Sequence, residues 1–331
     1  MKRFLDLADF SREQILDLLK LAQALQDQPE PRALAGKVLG LVFFNPSLRT
    51  LASFQAGMAR LGGSAFVINP GLGTWQLETR PNVIMKAAAA EHIREGIPVL
   101  ASYCDVLGVR AFADCKSLDG DLNETLFGMI DKLCDKPLIN MESAMNHPCQ
   151  ALADWRTLDE LKVPVRAKFV LSWAYHPKAL PLAVPAATVH MAAMRGMEVV
   201  VLRPEGFALP EQIMEKARLA ALDAGGSVTE TADRNAALSG ASVLYAKEWG
   251  TTMYYGDVEA DSRLRADLSE WCVREHWFDR ALPDAKLMHC LPVRRNVAVA
   301  DEILDGARSA VKREAFNRLP VQMAVLHRML A

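Results

Sequence analysis

Short apolar runs alternate along this chain with segments in which apolar residues recur every three or four positions. The runs are typical of buried parallel strands, and the periodic segments are typical of helices that cover a sheet. Strands are predicted at 39–44, 64–68, 106–112, 137–140, 168–173, 197–202, 241–246 and 287–290. Helices are predicted at about 11–25, 47–61, 91–103, 122–133, 151–158, 179–194, 211–223 and 312–329, the last kinked at Pro320.

Because strands alternate with helices in both halves, we expect an α/β protein with two doubly wound parallel-sheet domains. A chain of 331 residues is long enough for each domain to bury its own core. We place one domain at 1–145, completed by the closing helix at 312–331, and the other at 146–311. The active-site cleft is expected between these domains.

Composition and charge exclude several classes of protein. Hydrophobic residues make up 51% of the chain and charged residues 24%, with a formal net charge of -2. This balance is typical of a globular protein, and the absence of a basic stripe argues against nucleic-acid binding. The apolar stretches are too short to span a membrane, and the first residues lack the long apolar core of a signal peptide.

The cysteine pattern and two absent motifs narrow the picture further. None of the cysteines forms a CxxC pair, which indicates reduced thiols, a cytoplasmic location and no zinc site: Cys104, Cys115, Cys134, Cys149, Cys272 and Cys290. No G-x-G-x-x-G follows any predicted strand, and no Walker A sequence occurs. A dinucleotide-dependent enzyme is therefore disfavoured.

The segment after the first strong strand predicts an anion site. Asn45-Pro46 ends the strand, so that Ser47, Arg49 and Thr50 fall at the start of a helix. Free backbone N–H groups and the helix dipole attract anions there, and hydroxyl and guanidinium groups suit a phosphate. The alternative interpretation is that Ser47 only caps the helix and that Arg49 is solvated.

Other candidate residues also fall at predicted strand ends or in the loops that follow: Arg110, His147, Gln150, Cys290 and Leu291. Each alone is more often structural than functional. Together they fit one crevice, because ligands bind at the carboxyl ends of parallel strands. Trp75, in a glycine-rich loop, is a core plug, a lid or an interface residue.

Three motifs, S-x-R-T at 47–50, H-P-x-Q at 147–150 and H-C-L-P at 289–292, occur in this order. In this arrangement the chain resembles the aspartate/ornithine carbamoyltransferase family over essentially its whole length. The segments 43–50 and 291–296, with Trp75, resemble the branch that carbamoylates N-acylated ornithine. One departure is Leu51, where the family usually has a second arginine.

The resemblance implies site residues for two substrates and no metal or redox cofactor. Those for carbamoyl phosphate are Ser47, Leu48 through its backbone, Arg49, Thr50, Trp75, Arg110, His147, Gln150, Cys290, Leu291 and Arg318. The resemblance implies five catalytic residues. Thr50, Arg110 and His147 face the carbonyl oxygen of carbamoyl phosphate, and Gln150 and the Cys290 carbonyl face its NH₂ group. Those for the acylornithine are Ala90, Glu142, His176, Lys178, Lys247, Leu291 and Arg295.

Within this branch, the acyl group on the ornithine substrate differs between enzymes. The acetylornithine enzymes of the branch carry a Glu where Ala90 stands, an Asn where Pro181 stands and a Lys where Ala298 stands. A glutamate beside the acyl group would repel a succinyl carboxylate, whereas Ala90 leaves room and carries no charge. We therefore expect N-succinyl-L-ornithine as the substrate in arginine biosynthesis, with N-acetyl-L-ornithine and then free ornithine as alternatives. Candidates to meet the additional carboxylate are His176, Lys178 and Arg295.

The family resemblance also implies a homotrimer in which Trp75 and Ala90 reach a neighbouring subunit's site. A catalytically silent relative is the alternative from another class. Such a relative is expected to lose a carbonyl-polarising residue, yet all are present: Thr50, Arg110, His147 and Gln150.

Overall fold

The computed structural model describes every residue from Met1 to Ala331, and the chain forms two compact units. The first unit comprises Met1–Ala113, Asp119–Cys149 and Arg318–Ala331, and the second comprises Asp114–Leu118 and Gln150–Asn317. Each unit contains a five-stranded sheet with parallel neighbours. The predicted α/β class with two parallel sheets is therefore confirmed.

The first unit is built on strands β1 (Arg3–Phe4), β2 (Val38–Phe43), β3 (Ser64–Ile68), β4 (Leu77–Glu78), β5 (Glu91–His92), β6 (Val106–Arg110) and β7 (Leu138–Glu142). The main sheet has the order β1-β7-β6-β2-β3, and β4 pairs with β5 in a separate two-stranded sheet. From β2 the chain continues to β3 on one side and later to β6 and β7 on the other. The strand order thus reverses between β2 and β6, which is where open parallel sheets bind ligands.

The helices of this unit are α1 (Arg12–Asp27), α2 (Leu48–Arg60), α3 (Ile93–Ser102), α4 (Leu118–Leu122) and α5 (Thr125–Leu133), the first residue of α4 belonging to the second unit. The predicted capping box at Ser11 and Gln14 is present at the start of α1. The predicted end of α2 is also found, at Gly62, whose φ is +87°. A Cβ there would lie 2.3 Å from the Pro31 carbonyl oxygen, so only glycine fits.

Two predicted helices of this unit differ from the structure. The helix expected at 122–133 begins only at Thr125, as α5, because Glu124 adopts a left-handed conformation that separates it from α4. Its carboxylate accepts hydrogen bonds from the backbone N–H groups of Ala144 and Met145, which draws the residue out of the helix. The helix expected from Glu91 begins at Ile93, because Glu91 and His92 pair with β4.

The second unit is built on strands β8 (Lys168–Trp173), β9 (Glu198–Leu202), β10 (Ser227–Thr231), β11 (Val243–Lys247) and β12 (Lys286–Met288), in the order β10-β9-β8-β11-β12. The order reverses between β8 and β11. Strand β10 is missing from the sequence prediction because it lies at the sheet edge and is largely polar. An edge strand with partly exposed side chains needs no continuous apolar run.

The remaining helices are α6 (Pro148–Glu160), α7 (Ala183–Arg195), α8 (Glu211–Ala224), α9 (Arg234–Leu238), α10 (Val258–Arg265), α11 (Asp301–Leu304) and α12 (Val311–Leu330). Helices α6 and α12 contribute residues to both units. Helix α12 continues without a break through Pro320. No helix combines the length and apolarity required to cross a lipid bilayer.

Candidate active site

The carboxyl ends of β2 and β6 bring the first group of candidate residues together. The two strands pair so that Phe43 faces Arg110, and the Phe44 N–H donates to the Arg110 carbonyl oxygen at 2.9 Å. Just beyond, the Asn45 side-chain oxygen accepts from the Phe112 N–H at 2.8 Å. Asn45-Pro46 thereby ends the strand and directs the chain into α2 at the position where the sheet order reverses.

Helix α2 begins as the sequence predicts. Ser47 is its N-cap, and the Ser47 hydroxyl oxygen accepts from the Thr50 N–H at 3.3 Å. Leu48 is 80% exposed at the first helical position, so its backbone N–H lies at the open end of the helix. Thr50 is fully buried, whereas Arg49 is partly exposed. Capping by Ser47 and anion binding at the helix end are compatible, because the cap uses only one N–H group.

A buried ionic cluster lies beside this helix. The Glu142 carboxylate at the end of β7 accepts from Arg110, and the same Oε2 lies 3.2 Å from His147 Nε2. The three side chains are each less than a tenth exposed. Arg110 also lies over the Phe112 ring, 4.4 Å from its centroid. Glu142, expected on the acylornithine, thus contacts two of the residues expected at the carbonyl oxygen.

Arg318 adds a further positive charge to the same unit. Its guanidinium donates to Thr50 Oγ1 at 2.8 Å, and burial lowers its pKa, as do the charges of Arg110 and Arg49. Burial likewise lowers the pKa of His147 well below its ordinary value, and three arginines lower it further: Arg318, Arg110 and Arg49. His147 is therefore a neutral imidazole at neutral pH, in a region of strong positive potential.

In the second unit, another group of candidate residues lies where the strand order reverses, between β8 and β11. The Ala174 N–H donates to the Lys247 carbonyl oxygen at 2.9 Å, so the segment after β8 and the end of β11 are adjacent. Lys247 Nζ lies 2.8 Å from Glu248, and Glu248 lies 3.3 Å from His289 Nε2. Because His289 Nδ1 accepts from the Leu291 N–H, its Nε2 carries the hydrogen that faces Glu248.

Gln150 belongs to a second buried network. Its amide nitrogen donates to Asp154 Oδ1 at 2.8 Å and to Glu314 Oε1 at 3.0 Å. Glu314 also accepts from the Tyr245 hydroxyl at 3.3 Å and from the His289 N–H at 2.8 Å. Burial raises the pKa of Glu314 well above its ordinary value, and the nearby charge of Asp154 raises it further.

The H-C-L-P segment follows β12 with an irregular backbone. Leu291 has a φ of +56° and is joined to Pro292 by a cis peptide bond. Burial raises the pKa of the Cys290 thiol to about 12, so the thiol is protonated at neutral pH. All six cysteines are free thiols, as predicted. Cys290 therefore offers a ligand its backbone carbonyl rather than a thiolate.

Two arginines near the chain's third motif have separate surroundings. Arg295, expected at the acyl carboxylate, is half exposed and forms ion pairs with Asp301 and Asp305, each at 2.7 Å. Arg294 instead donates to His176 Nε2 at 2.9 Å. The His176 Nδ1 lies 2.9 Å from the Lys178 carbonyl oxygen and 3.0 Å from the Lys178 backbone nitrogen. The structure thus joins His176 to Arg294, not to Arg295.

Trp75 and Ala90 lie in one loop region of the first unit, between β3 and β5. Trp75 is 62% exposed, and its indole N–H donates to Glu91 at 2.8 Å, which excludes a core role. Ala90 is exposed, and its N–H donates to the Gln76 carbonyl oxygen at 3.2 Å. It is not part of a helix.

Several residues of these clusters were missed by the sequence prediction: Asp154, Glu248, Arg294 and Glu314. A signal existed for two of them. Asp154 follows Gln150 by one helical turn, and Glu314 precedes Arg318 by one turn, so each lies on the helix face of a predicted site residue. Glu248 and Arg294 carry no such signal. Glu248 is adjacent to Lys247 in the chain, but its contact with His289, like that of Arg294 with His176, joins distant segments.

Two family models and several known proteins match this chain. Residues 2–160 match the carbamoyl-P binding domain of aspartate/ornithine carbamoyltransferase, and residues 184–329 match its Asp/Orn binding domain. The chain is 37% identical over 331 residues to an N-acetylornithine carbamoyltransferase of Xylella fastidiosa, covering 98% of each chain. It is 36% identical over 296 residues to an N-succinylornithine carbamoyltransferase of Bacteroides thetaiotaomicron, covering 89% of this chain and 87% of the relative.

A solved structure is similar throughout. It is an N-acetyl-L-ornithine transcarbamylase with one glutamate replaced by alanine, in complex with carbamyl phosphate and N-succinyl-L-norvaline. It superposes with a TM-score of 0.95 at 36% identity, covering 99% of this chain and all of the other. The chain therefore belongs to the N-acylornithine branch of the aspartate/ornithine carbamoyltransferase family and is a carbamoyltransferase.

Proposed function

We propose that this enzyme transfers the carbamoyl group of carbamoyl phosphate to the δ-amine of N-succinyl-L-ornithine, giving N-succinyl-L-citrulline and phosphate. The observation that carries the acyl assignment is Ala90, a small and uncharged residue in an exposed loop beside Trp75. We assign the carbamoyl-phosphate-binding role to residues 1–145 with 312–331, and the acylornithine-binding role to 146–311.

Local charge supports phosphate binding by the first unit. Three arginines lie close enough to His147 to lower its pKa, and the Glu142 carboxylate bonds to Arg110 and lies beside His147. One of these arginines, Arg49, lies in the first turn of α2, where free N–H groups attract an anion. In this proposal Ser47, the Leu48 backbone and Arg49 hold the phosphate, with Arg318 as a further cation.

The chemistry requires a neutral amine and a polarised carbonyl. The amine nitrogen attacks the carbonyl carbon, negative charge grows on the carbonyl oxygen, and the C–O bond to phosphate breaks with its electron pair leaving on phosphate. The nitrogen then gives up its additional proton to the departing phosphate, which leaves as hydrogen phosphate. Thr50 and Arg110 donate to the oxygen, and neutral His147 donates to it once its single N–H turns from Glu142 to the ligand, each donor lowering the barrier by roughly 3–4 kcal/mol. Gln150 and the Cys290 and Leu291 carbonyls accept from the NH₂ group.

For the acylornithine, we assign Glu142, His176, Lys178 and Lys247, with Arg294 in the position that we first expected Arg295 to occupy. The hydrogen bond from Arg294 to His176 supports this change, because it couples an arginine to another candidate. The ion pairs of Arg295 with two aspartates leave its guanidinium already neutralised. Arg294, Lys178 and His176 are the groups proposed to meet the succinyl carboxylate.

Solved relatives support the role of Ala90. Variants of N-acetyl-L-ornithine transcarbamylase with one glutamate replaced by alanine, proline or serine were solved with N-succinyl-L-norvaline. We propose that this glutamate occupies the position of Ala90. The present chain would then have alanine as its natural residue at this position. The relative was solved with N-succinyl-L-norvaline after its glutamate had been replaced by the same residue.

A parallel assay tests the substrate. The purified enzyme is given carbamoyl phosphate with N-succinyl-, N-acetyl- or free L-ornithine, and the citrulline-type product is measured. We expect the highest kcat/KM with N-succinyl-L-ornithine. A preference for N-acetyl-L-ornithine would contradict the acyl assignment while leaving the carbamoyltransferase reaction intact.

N-acetyl-L-ornithine is the second candidate substrate. It is favoured by the relatives named N-acetylornithine carbamoyltransferase, which match 98% of this chain, against 89% for those named N-succinylornithine carbamoyltransferase. The identities of 37% and 36% do not separate the two. Free ornithine is less well supported, because the ornithine carbamoyltransferase of Listeria monocytogenes is 31% identical.

We also propose a homotrimer in which Trp75 and Ala90 of one subunit complete the site of the next. The support is three large apolar side chains that are exposed in the segments on either side of β4: Leu72, Trp75 and Ile84. Large apolar side chains exposed in neighbouring segments are typical of an interface. A lid over the subunit's own site is the alternative.

Mixing two inactive variants separates these possibilities. Trp75→Ala and Arg49→Ala subunits are each expected to have little activity alone. If the two residues of one site come from different chains, random mixed trimers contain intact sites, and activity should recover to about a quarter of the wild-type value. No recovery after verified subunit exchange would favour the lid.

A further inference from the structure

The side-chain amide of Gln150 is held in one orientation. A primary amide has two N–H donors and one carbonyl acceptor, and the Gln150 nitrogen lies within hydrogen-bond distance of two carboxyl groups. The reversed amide would place its oxygen against Asp154 Oδ1 and Glu314 Oε1. Both N–H groups of the Gln150 amide face these carboxyls. A ligand that binds this side chain therefore contacts its carbonyl oxygen, which accepts hydrogen bonds.

The Glu314 carboxyl is itself fixed. The backbone N–H of His289 donates to Oε2, and the Tyr245 hydroxyl donates to Oε1, which also receives Gln150. All of these groups are almost completely buried, and Asp154 is fully buried. Two carboxyls in such surroundings are stable when they share a proton and when their remaining oxygens accept hydrogen bonds. The pair is therefore a rigid frame for the amide.

We propose that Asp154 and Glu314 are positioning residues that direct the Gln150 carbonyl oxygen toward the carbamoyl group, so that the enzyme selects an acyl phosphate bearing NH₂ over one bearing CH₃. This inference rests on the proposed contact of Gln150 with carbamoyl phosphate. Glu314 also holds the backbone at His289, directly before the Cys290 carbonyl, which is a second proposed acceptor.

Acetyl phosphate is the matched probe, because it replaces the NH₂ of carbamoyl phosphate with a methyl group of similar size. A methyl group leaves the amide oxygen without a donor, which a site built for a donor rejects strongly. The quantity measured is the inhibition constant of acetyl phosphate divided by the KM of carbamoyl phosphate. A large ratio means selection for NH₂.

Two isosteric substitutions are expected to differ in their effect on this ratio. In Glu314→Gln, the new amide oxygen must stay on the His289 N–H, so its NH₂ turns toward the NH₂ of Gln150. We expect Gln150 to reverse or tilt, and the ratio to fall by roughly 10-fold. In Asp154→Asn, the oxygen can still face Gln150 while the nitrogen replaces the shared proton, so the ratio should stay within about threefold of wild type.

A double-mutant cycle distinguishes positioning from general stability. In a Gln150→Ala background, Glu314→Gln should have no further effect on the ratio, because its effect is exerted through Gln150. Thr157→Val is the control: Thr157 bonds to Asn317 at 3.0 Å between the same helices without contacting Gln150. It should lower the melting temperature and leave the ratio unchanged. Asp154→Ala serves as the second disrupting variant if Glu314→Gln is unstable.

The outcomes separate this inference from the proposed function. If Gln150→Ala lowers the ratio but folded Glu314→Gln and Asp154→Ala both retain it, the positioning role is wrong and the function stands. If Gln150→Ala itself leaves the ratio unchanged, the contact between Gln150 and the carbamoyl group is wrong, and the inference falls with it. Loss of selection in Thr157→Val would also overturn the positioning role.

Discussion

Arg49→Ala is expected to lower kcat/KM by at least about 100-fold while leaving the melting temperature nearly unchanged. The guanidinium lies in the first turn of α2, where the proposed phosphate would receive both backbone N–H groups and a charge-assisted bond. Its loss removes an interaction that strengthens as the phosphate departs with its electron pair. Stability should change little, because Arg49 and Arg110 both lower the pKa of Arg318 through their charges, and removing one of three like charges relieves repulsion.

Arg60→Ala is the matched control for this prediction. Arg60 is the last residue of the same helix and is exposed. Removing it should leave kcat/KM within a few-fold of wild type, because Arg60 lies at the opposite end of α2 from the proposed phosphate site. The free energy of unfolding should fall by only about 0.3–1 kcal/mol, as for an exposed charge at a helix end. Steady-state kinetics and thermal unfolding are measured on both variants. Near-normal activity of Arg49→Ala would rule out the phosphate assignment.

Ala90→Glu is expected to lower kcat/KM for N-succinyl-L-ornithine by about a thousandfold and to raise the ratio of acetyl to succinyl activity. Two like charges about 4 Å apart at an effective dielectric constant near 20 repel by roughly 4 kcal/mol, which corresponds to that factor. N-acetyl-L-ornithine has no second carboxylate on its acyl group and should escape the repulsion.

The size of this effect also depends on assembly. Ala90 is exposed on the chain alone, and in water the same pair of charges would repel by only about 1 kcal/mol. The full effect therefore requires the neighbouring subunit to exclude water from the loop. A drop of only a few-fold would count against the proposed trimer site, even if the direction were correct.

Two further variants separate charge from crowding in the Ala90 experiment. Ala90→Gln has nearly the volume of the glutamate without its charge, so it should impair both substrates alike and only modestly. Ala88→Glu places the same charge two residues earlier in the exposed loop and should leave the specificity unchanged. If Ala90→Glu affects succinyl and acetyl substrates equally, the residue does not set the acyl preference.

The sequence by itself was sufficient for the α/β class and for the start of α2. Each depends on local patterns: an apolar run, a proline after Asn45, a serine cap and helical periodicity that ends at Gly62. The three motifs were also sufficient to predict the family, which the comparisons confirm. These features could be predicted because each depends on residues that are close together in the chain.

Tertiary structure alone decided which side chains contact one another. Glu142 joins Arg110 and His147 from separate strands and loops, and nothing local to Glu142 indicates either partner. The late start of the predicted helix, after Glu124, depends on the loop after β7, and the edge strand β10 depends on pairing with β9.

The choice between Arg294 and Arg295 shows the physical reason most directly. The two residues are adjacent, with the same charge and length, so the sequence distinguishes them only by motif. In the structure Asp301 and Asp305 hold Arg295, while His176, more than a hundred residues away, accepts from Arg294. Long side chains are oriented by whichever partners the fold brings near them. Local sequence therefore determines the elements and their order, and long-range packing determines the chemistry at their ends.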